Sequence, residues 1–198
     1  MKTLIQLDNN RRLRIEQDDI PESPREWDNL GTLACWHRRD NYGDVQPKQD
    51  REEWYTENVQ KGDLCLQVRM YQHSDVRIYL AGSGNDCPWD SGWLGFYLVK
   101  QAQLDKEFPG LPREEQVKKA RDIVEGELET YTQYLNGDVW WFCVEEAVLG
   151  GWDIVDSCGG FYGSDPAENG MCDCLSAEDA EVVRGERDPV NNRFSEGA

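Results

Sequence analysis

Cys158, Cys172 and Cys174 have the chemistry of a soft metal site. Three thiolates with a fourth ligand, Cys143 or Asp173, could hold zinc. The spacing favours ordinary reduced thiols instead. One residue separates Cys172 from Cys174, where paired zinc ligands usually have roughly two to four between them, and no histidine is near. A second chemical segment is Asp86-Cys-Pro-Trp-Asp-Ser-Gly92. Trp89 could stack on a ligand while Asp90 and Ser91 fix its polarity, or the segment is a turn closed by a packed tryptophan. With Trp93, Trp140, Trp141, Phe161 and Tyr162 it offers an aromatic ligand-binding set.

His37 and His73 are the only histidines. Cys35 and Ser74 lie close to them in sequence, but near neighbours on a strand point to different faces. No Gly-x-Ser-x-Gly nucleophile turn is present. Gly159-Gly160-Phe-Tyr-Gly163 lacks the Lys-Ser/Thr of a phosphate loop, and Asp153 and Asp156 upstream would repel phosphate. Glu145-Glu146 and Asp153/Asp156 could take Mg²⁺ or Ca²⁺, yet the EF-hand spacing is missing. Nothing has the spacing of a known catalytic motif, so an enzyme is not expected.

The strongest signal is electrostatic. From Asp122 to Val183 there are 15 Asp and Glu and no Lys, Arg or His. Trp140, Trp141, Phe142, Trp152, Phe161 and Tyr162 lie in the same stretch, and acidic disordered tracts are poor in aromatics. The expectation is a folded acidic surface. Residues 1–100 hold 13 basic and 17 acidic residues, net −4, and residues 101–198 hold 8 and 22, net −14. Direct nucleic-acid binding needs clustered Lys and Arg, so the expected partner is basic: a protein whose groove normally holds phosphates. An anionic membrane is disfavoured on the same ground. No apolar run approaches the roughly 20 residues of a membrane helix, and no signal-peptide pattern opens the chain, so a cytoplasmic setting is expected. The odd count of 7 cysteines fits reduced thiols.

Elements must position these groups. Thr3–Glu16 reads as a β-hairpin turning at Asn9-Asn10. Leu30–Trp36 is a short strand, and Arg38–Gln60 an irregular insertion with a short helix around Glu52–Asn58. Asp63–Tyr71 alternates, Val76–Leu80 follows, and Trp93–Val99 reads as a buried strand. Pro112–Leu135 is the one strong helix: Val117, Ala120, Val124, Leu128, Tyr131 and Leu135 form its apolar stripe, and Asp122, Glu125 and Glu129 its outer face. Asp138–Val144 and Trp152–Asp156 read as strands joined by Glu145–Gly151. The fold class is α+β: a mostly antiparallel sheet with one long amphipathic helix packed on it. Residues 1–163 are expected to form a single domain, and 164–198 an acidic, partly ordered extension.

Six segments together resemble a family of uncharacterised bacteriophage- and plasmid-encoded proteins. They are Ser23-Pro-Arg-Glu-Trp-Asp-Asn-Leu-Gly31, Cys35-Trp-His-Arg-Arg39, Tyr71-Gln-His-Ser74, Cys87-Pro-Trp-Asp-Ser-Gly92, Glu129-Thr-Tyr-Thr-Gln-Tyr-Leu-Asn-Gly-Asp-Val139 and Asp156-Ser-Cys-Gly-Gly-Phe-Tyr-Gly163. The resemblance carries no catalytic role. It implies a mobile-element origin and, by association, a protein that disarms a host defence. Arg38–Lys61 departs from the family pattern in being shorter, Gly159-Gly160 in replacing an aromatic, and the segment beyond Gly163 in having no counterpart.

The expected function is inhibition of a nucleic-acid-handling defence complex, of CRISPR or restriction type, through an acidic surface that partly mimics DNA. The expected contact residues are Asp122, Glu125, Glu129, Asp138, Glu145, Glu146, Asp153 and Asp156. The alternative is a binder that sequesters a nucleotide signal at Trp89, Asp90, Ser91, Trp93, Trp140, Phe161 and Tyr162. Arg25, Arg38, Arg39, Arg69 and Arg77, which could meet its charge, all lie in the N-terminal half. No cofactor is expected; a structural zinc ion at the three cysteines is the weaker alternative to ordinary thiols.

Overall fold

A computed structural model describes residues 2–83 and 87–185. The chain divides into two compact units: Met1–Glu22 with Gly137–Ala198, and Ser23–Asn136. The fold class is α+β with antiparallel sheets and one long helix. Among the described residues, no helix is long and apolar enough to cross a membrane.

The first unit is an antiparallel sheet. Its strands are β1 (Lys2–Gln6), β2 (Arg11–Gln17), β7 (Val139–Val148) and β8 (Gly151–Tyr162), in the order β1-β2-β7-β8. The Asp8 carboxylate builds the first hairpin turn by accepting from the Asn10 and Arg11 amides. Leu13, Ile15, Phe142, Val144 and Phe161 turn to one face. A 3-10 turn at Met171–Cys174 and helix α4 (Ala177–Val183) cover that face with Met171, Leu175, Val182 and Val183. Asp179 of α4 is buried and accepts from both terminal nitrogens of Arg11 at 3.0 Å. The described part of the C-terminal segment is therefore a lid on the core of this sheet.

The second unit orders its strands β3-β6-β4-β5. These are β3 (Thr32–Cys35), β4 (Leu64–Gln72), β5 (Val76–Leu80) and β6 (Ser91–Val99). Their inward residues meet the stripe of helix α3 (Arg113–Leu135): Val68, Ile78, Leu80, Tyr97 and Val99 pack with Ala120, Val124, Leu128 and Tyr131. The larger aliphatic ones, Val68, Ile78, Leu80, Val99, Val124 and Leu128, each contribute roughly 1.5–3 kcal/mol by burial. Helix α1 (Arg51–Asn58) packs Trp54 on the opposite face against Ala34 and Leu98. Helix α2 (Gln101–Glu107) buries only Leu104, and the buried Gln116 amide of α3 donates to the Phe108 carbonyl at its end. One buried position leaves no readable period, which is why this helix escapes the sequence pattern. Gly95 lets β3 approach, since a Cβ there would lie 1.9 Å from the Ala34 carbonyl oxygen.

Arg25 closes the loop between the N-terminal segment and β3. It donates to Asp44, Asn29, Glu127 and the Gly31 carbonyl. Glu127 also accepts from the Leu30 amide and the Tyr97 hydroxyl, so this helix acid faces inward. Burial raises the Tyr97 pKa well above the usual phenol range, and the Glu127 charge adds to it.

Candidate functional site

The eight expected partner-binding acids fall into three environments. On α3, Asp122, Glu125 and Glu129 are exposed. Asp122 shares a shallow surface with Lys118 and Lys119. Glu125 and Glu129 line a cleft of about 370 Å³ with Arg77, Ile78, Leu80 and Thr132. Nearby cations therefore dilute this helix face. In the first unit, Asp138 accepts from the Trp140 indole nitrogen at 2.6 Å, which commits one carboxylate oxygen to its own strand.

Glu145 is buried and accepts from the Arg12 and Arg14 guanidinium groups at 2.6 and 2.7 Å. Burial pushes its carboxyl up, but the two arginines more than offset this and its pKa lies below the ordinary 4.5. It is a structural acid and not part of an exposed acidic face. The sequence pattern hides this pairing, because Arg12 and Arg14 come from β2, more than a hundred residues away.

Glu146, Asp153 and Asp156 are exposed on the β7–β8 hairpin. Glu146 and Asp153 stand directly opposite each other in the register. Like charges in that position destabilise a strand pair. Arg11 pairs with Glu146 from the other side, but its guanidinium is held by Asp8 and Asp179. Around these acids lie Val148, Leu149, Trp152, Ile154 and Val155, all exposed; Ile154 and Val155 show 56% and 51% of their surface.

β8 is an edge strand, and its residues Gly151–Ser157 are exposed in succession. Arg12 lies over the Trp152 ring at 4.0 Å, which fixes one aromatic on the outer face. Register shifts leave Val155 and Gly160 as extra residues on β8. Such bulges twist an edge strand and blunt ladder addition. The sequence pattern places strands at Asp138–Val144 and Trp152–Asp156, whereas β7 runs on to Val148 and β8 spans Gly151–Tyr162. Neither face is buried at the hairpin end, so the alternation that marks a strand is missing. The consecutive pairs Val148-Leu149 and Ile154-Val155 were the available signal, since adjacent apolar residues on a two-sided strand leave one exposed on each face.

The expected aromatic set divides between the units. Phe161 is in the core of the first unit, stacked on Phe142 at 5.7 Å. Tyr162 donates its hydroxyl to the Glu22 carbonyl, and Trp140 is held by Asp138. In the second unit, Trp89 is exposed in the turn before β6, and Asp86 lies outside the described residues. Ser91 is a turn builder: its hydroxyl oxygen accepts from the Cys87 amide at 2.9 Å and lies 2.8 Å from the Tyr79 hydroxyl. Asp90 sits 3.6 Å from the Cys87 sulfur and 3.8 Å from His73. Trp93 packs between Trp36 and Phe96, at 5.4 Å from each.

Cys158, Cys172 and Cys174 do not converge. Cys172 is buried and its sulfur donates to the Pro166 carbonyl. Cys174 lies against Cys158; desolvation, that neighbour, and the charges of Asp173 and Asp156 push its thiol up. A raised pKa keeps the thiol protonated, against the thiolate that metal binding requires. Among the described residues, no group of three or more His, Cys, Asp or Glu side chains could hold a metal ion. Cys35, next to the expected His37, is buried and pushed up to about 12. His37 instead packs against Tyr42 and accepts from the Asp40 amide. No protein-family model, curated protein or solved structure matches this chain.

Proposed function

We propose that this chain is a binding protein, without catalysis of its own, whose β7–β8 hairpin docks on a basic and partly apolar surface of a partner. The observation that carries this reading is the hairpin's composition. Three exposed carboxylates, two of them opposed at a cost to folding, sit among five exposed apolar side chains. The register puts Glu146 and Asp153 on one face of the hairpin and Trp152 and Ile154 on the other, so the hairpin presents an acidic and an apolar face. Carboxylates steer a basic partner into place, and the apolar residues supply the buried area that holds it.

The resemblance to phage and plasmid proteins points to the class of partner: a host defence complex with a groove that normally holds nucleic acid. Glu146, Asp153 and Asp156 then occupy phosphate positions, while Ile154 and Trp152, on the hairpin's other face, meet an apolar part of the partner. Asp122, Glu125 and Glu129 contribute to steering only.

The test is a phage plating assay in hosts that each carry one defence system, with this chain expressed in trans. Rescue of plating by the natural chain, and its loss in the triple variant Glu146→Lys/Asp153→Lys/Asp156→Lys, is the expected result. The variant Ile154→Ser/Val155→Ser should lose rescue as well, while Asp122→Lys/Glu125→Lys should retain most of it. Rescue by both hairpin variants at natural levels would overturn the proposal.

A further inference from the structure

The outer face of the second sheet carries chemistry that the hairpin reading does not use. Gln67, Arg69 and Tyr71 of β4 point outward beside Trp93 and Phe96 of β6 and Tyr79 and Arg77 of β5. Helix α1 covers part of this face, with Trp54 stacked on Phe96 at 5.9 Å. Where the cover ends, an open slot of about 500 Å³ remains. Its walls are Arg51, Tyr55 and Thr56 of the helix and Gln67, Trp93 and Phe96 of the sheet, with Glu52 at its side. That volume is in the range of small-ligand sites.

The slot has the elements that hold a flat ring next to an anion. Phe96 lies between Trp93 and Tyr55, at 5.4 and 5.7 Å. Three aromatic side chains thus border one space; Phe96 carries Trp54 on one face and Trp93 carries Arg51, so Tyr55, 46% exposed, offers the freest π-surface. The Arg51 guanidinium lies over Trp93 at 5.6 Å and is exposed. Gln67 is exposed directly opposite Phe96, so its amide can both donate to and accept from a ring edge. Arg69 pairs with Trp93 and with Tyr79, and Arg77 lies over Tyr71 at 5.4 Å. Of these arginines, Arg77 is bonded to Asp75 at 3.0 Å.

We infer that the slot between α1 and the outer sheet face binds a single nucleotide, its base among Trp93, Phe96 and Tyr55 and its phosphate on Arg51. Base stacking on aromatic side chains tolerates any base, since every base has a π-face. Arginine supplies a fork matched to phosphate oxygens. Gln67 reads the base edge. Glu52 stands beside Arg51 and opposes further phosphates, so a monophosphate is preferred to a triphosphate. A long strand is disfavoured, because beyond the slot it would meet the field of a strongly anionic chain. This site is independent of the hairpin: it shares no residue with it.

Titrating the full chain with AMP, GMP, CMP and UMP, read by tryptophan fluorescence and by calorimetry, tests the inference. Saturable quenching by at least one monophosphate is expected. Arg51→Ala should weaken it about tenfold or more, and the matching nucleoside should lose a similar factor against the natural chain. Gln67→Ala should change the ranking of bases. Both positions are exposed, and circular dichroism checks that each variant is folded. No saturable signal up to millimolar nucleotide, or equal affinity for nucleoside and nucleotide, would overturn the inference. So would a short single-stranded oligonucleotide that binds more tightly than every monophosphate.

Discussion

Arg25 engages five oxygens with one guanidinium: both of Asp44, one each of Asn29 and Glu127, and the Gly31 carbonyl. Its side chain is 6% exposed. Removing it leaves Asp44 and Glu127 as poorly solvated charges. Arg25→Ala is expected to destabilise the second unit by about 3–5 kcal/mol, measured by urea unfolding. Arg25→Lys should recover little, since an ammonium cannot reproduce the fork.

The first unit has a pH-sensitive counterpart in Glu145 and Asp8. Burial raises both carboxyls, and hydrogen bonds from Arg12 and Arg14 to Glu145, and from Asn10 and Arg11 to Asp8, bring them below their ordinary 4.5 and 3.8. A lowered folded pKa stabilises fully above the ordinary value and is lost as pH falls through the folded one. Urea midpoints of the first unit should therefore hold near neutral pH and fall from about pH 4.5 downward. Glu145→Gln should flatten that acid limb and lower the neutral midpoint.

At the scale of elements, side chains of α3 cap the edge strand β5. β5 is the edge of its sheet, and an edge strand exposes unpaired amides and carbonyls. Thr132 and Asn136 project from the last turns of α3 onto that edge. The Ile78 amide donates to the Thr132 hydroxyl at 3.0 Å, and the Val76 amide to the Asn136 side-chain oxygen at 2.9 Å. The same two side chains donate back to the Ile78 and Val76 carbonyls. Two polar side chains thus stand in for a neighbouring strand. Thr132→Val is expected to cost about 1–3 kcal/mol and to speed hydrogen exchange at Ile78 selectively. The turn chemistry of Asn136-Gly137 was legible as a helix stop, and Gly137 does adopt a positive φ of 68°. The edge-capping role of Asn136 was not legible, because its partner lies sixty residues earlier in the chain.

For the molecule as a whole, the charge of −18 acts on stability and on binding with opposite sign. Self-repulsion among carboxylates weakens the compact state, and salt screens it. Raising salt from about 0.05 to about 0.5 M should raise the thermal midpoint. The same change should weaken binding of the hairpin to a basic partner, mainly through slower association. A binding constant that does not move with salt would leave the acids as solubilising groups and the apolar residues as the whole interface.

Local chemistry is what the sequence by itself determined. Helix α3, the α+β class, the strand at Val76–Leu80 and the short α1 were readable, because apolar period, β-branching and turn residues act within a few positions. The outward placement of Asp122, Glu125 and Glu129 followed from the same period. Tertiary structure alone decided which carboxylates are spent. Glu127, Glu145 and Asp179 sit in the unbroken acidic run, yet each is neutralised by an arginine from the N-terminal segments. It also decided that the chain forms two units, that the C-terminal segment lids a core, and that Arg51, Gln67 and Phe96 share one slot. These are long-range pairings, and their strength depends on burial and register, which no local spacing encodes.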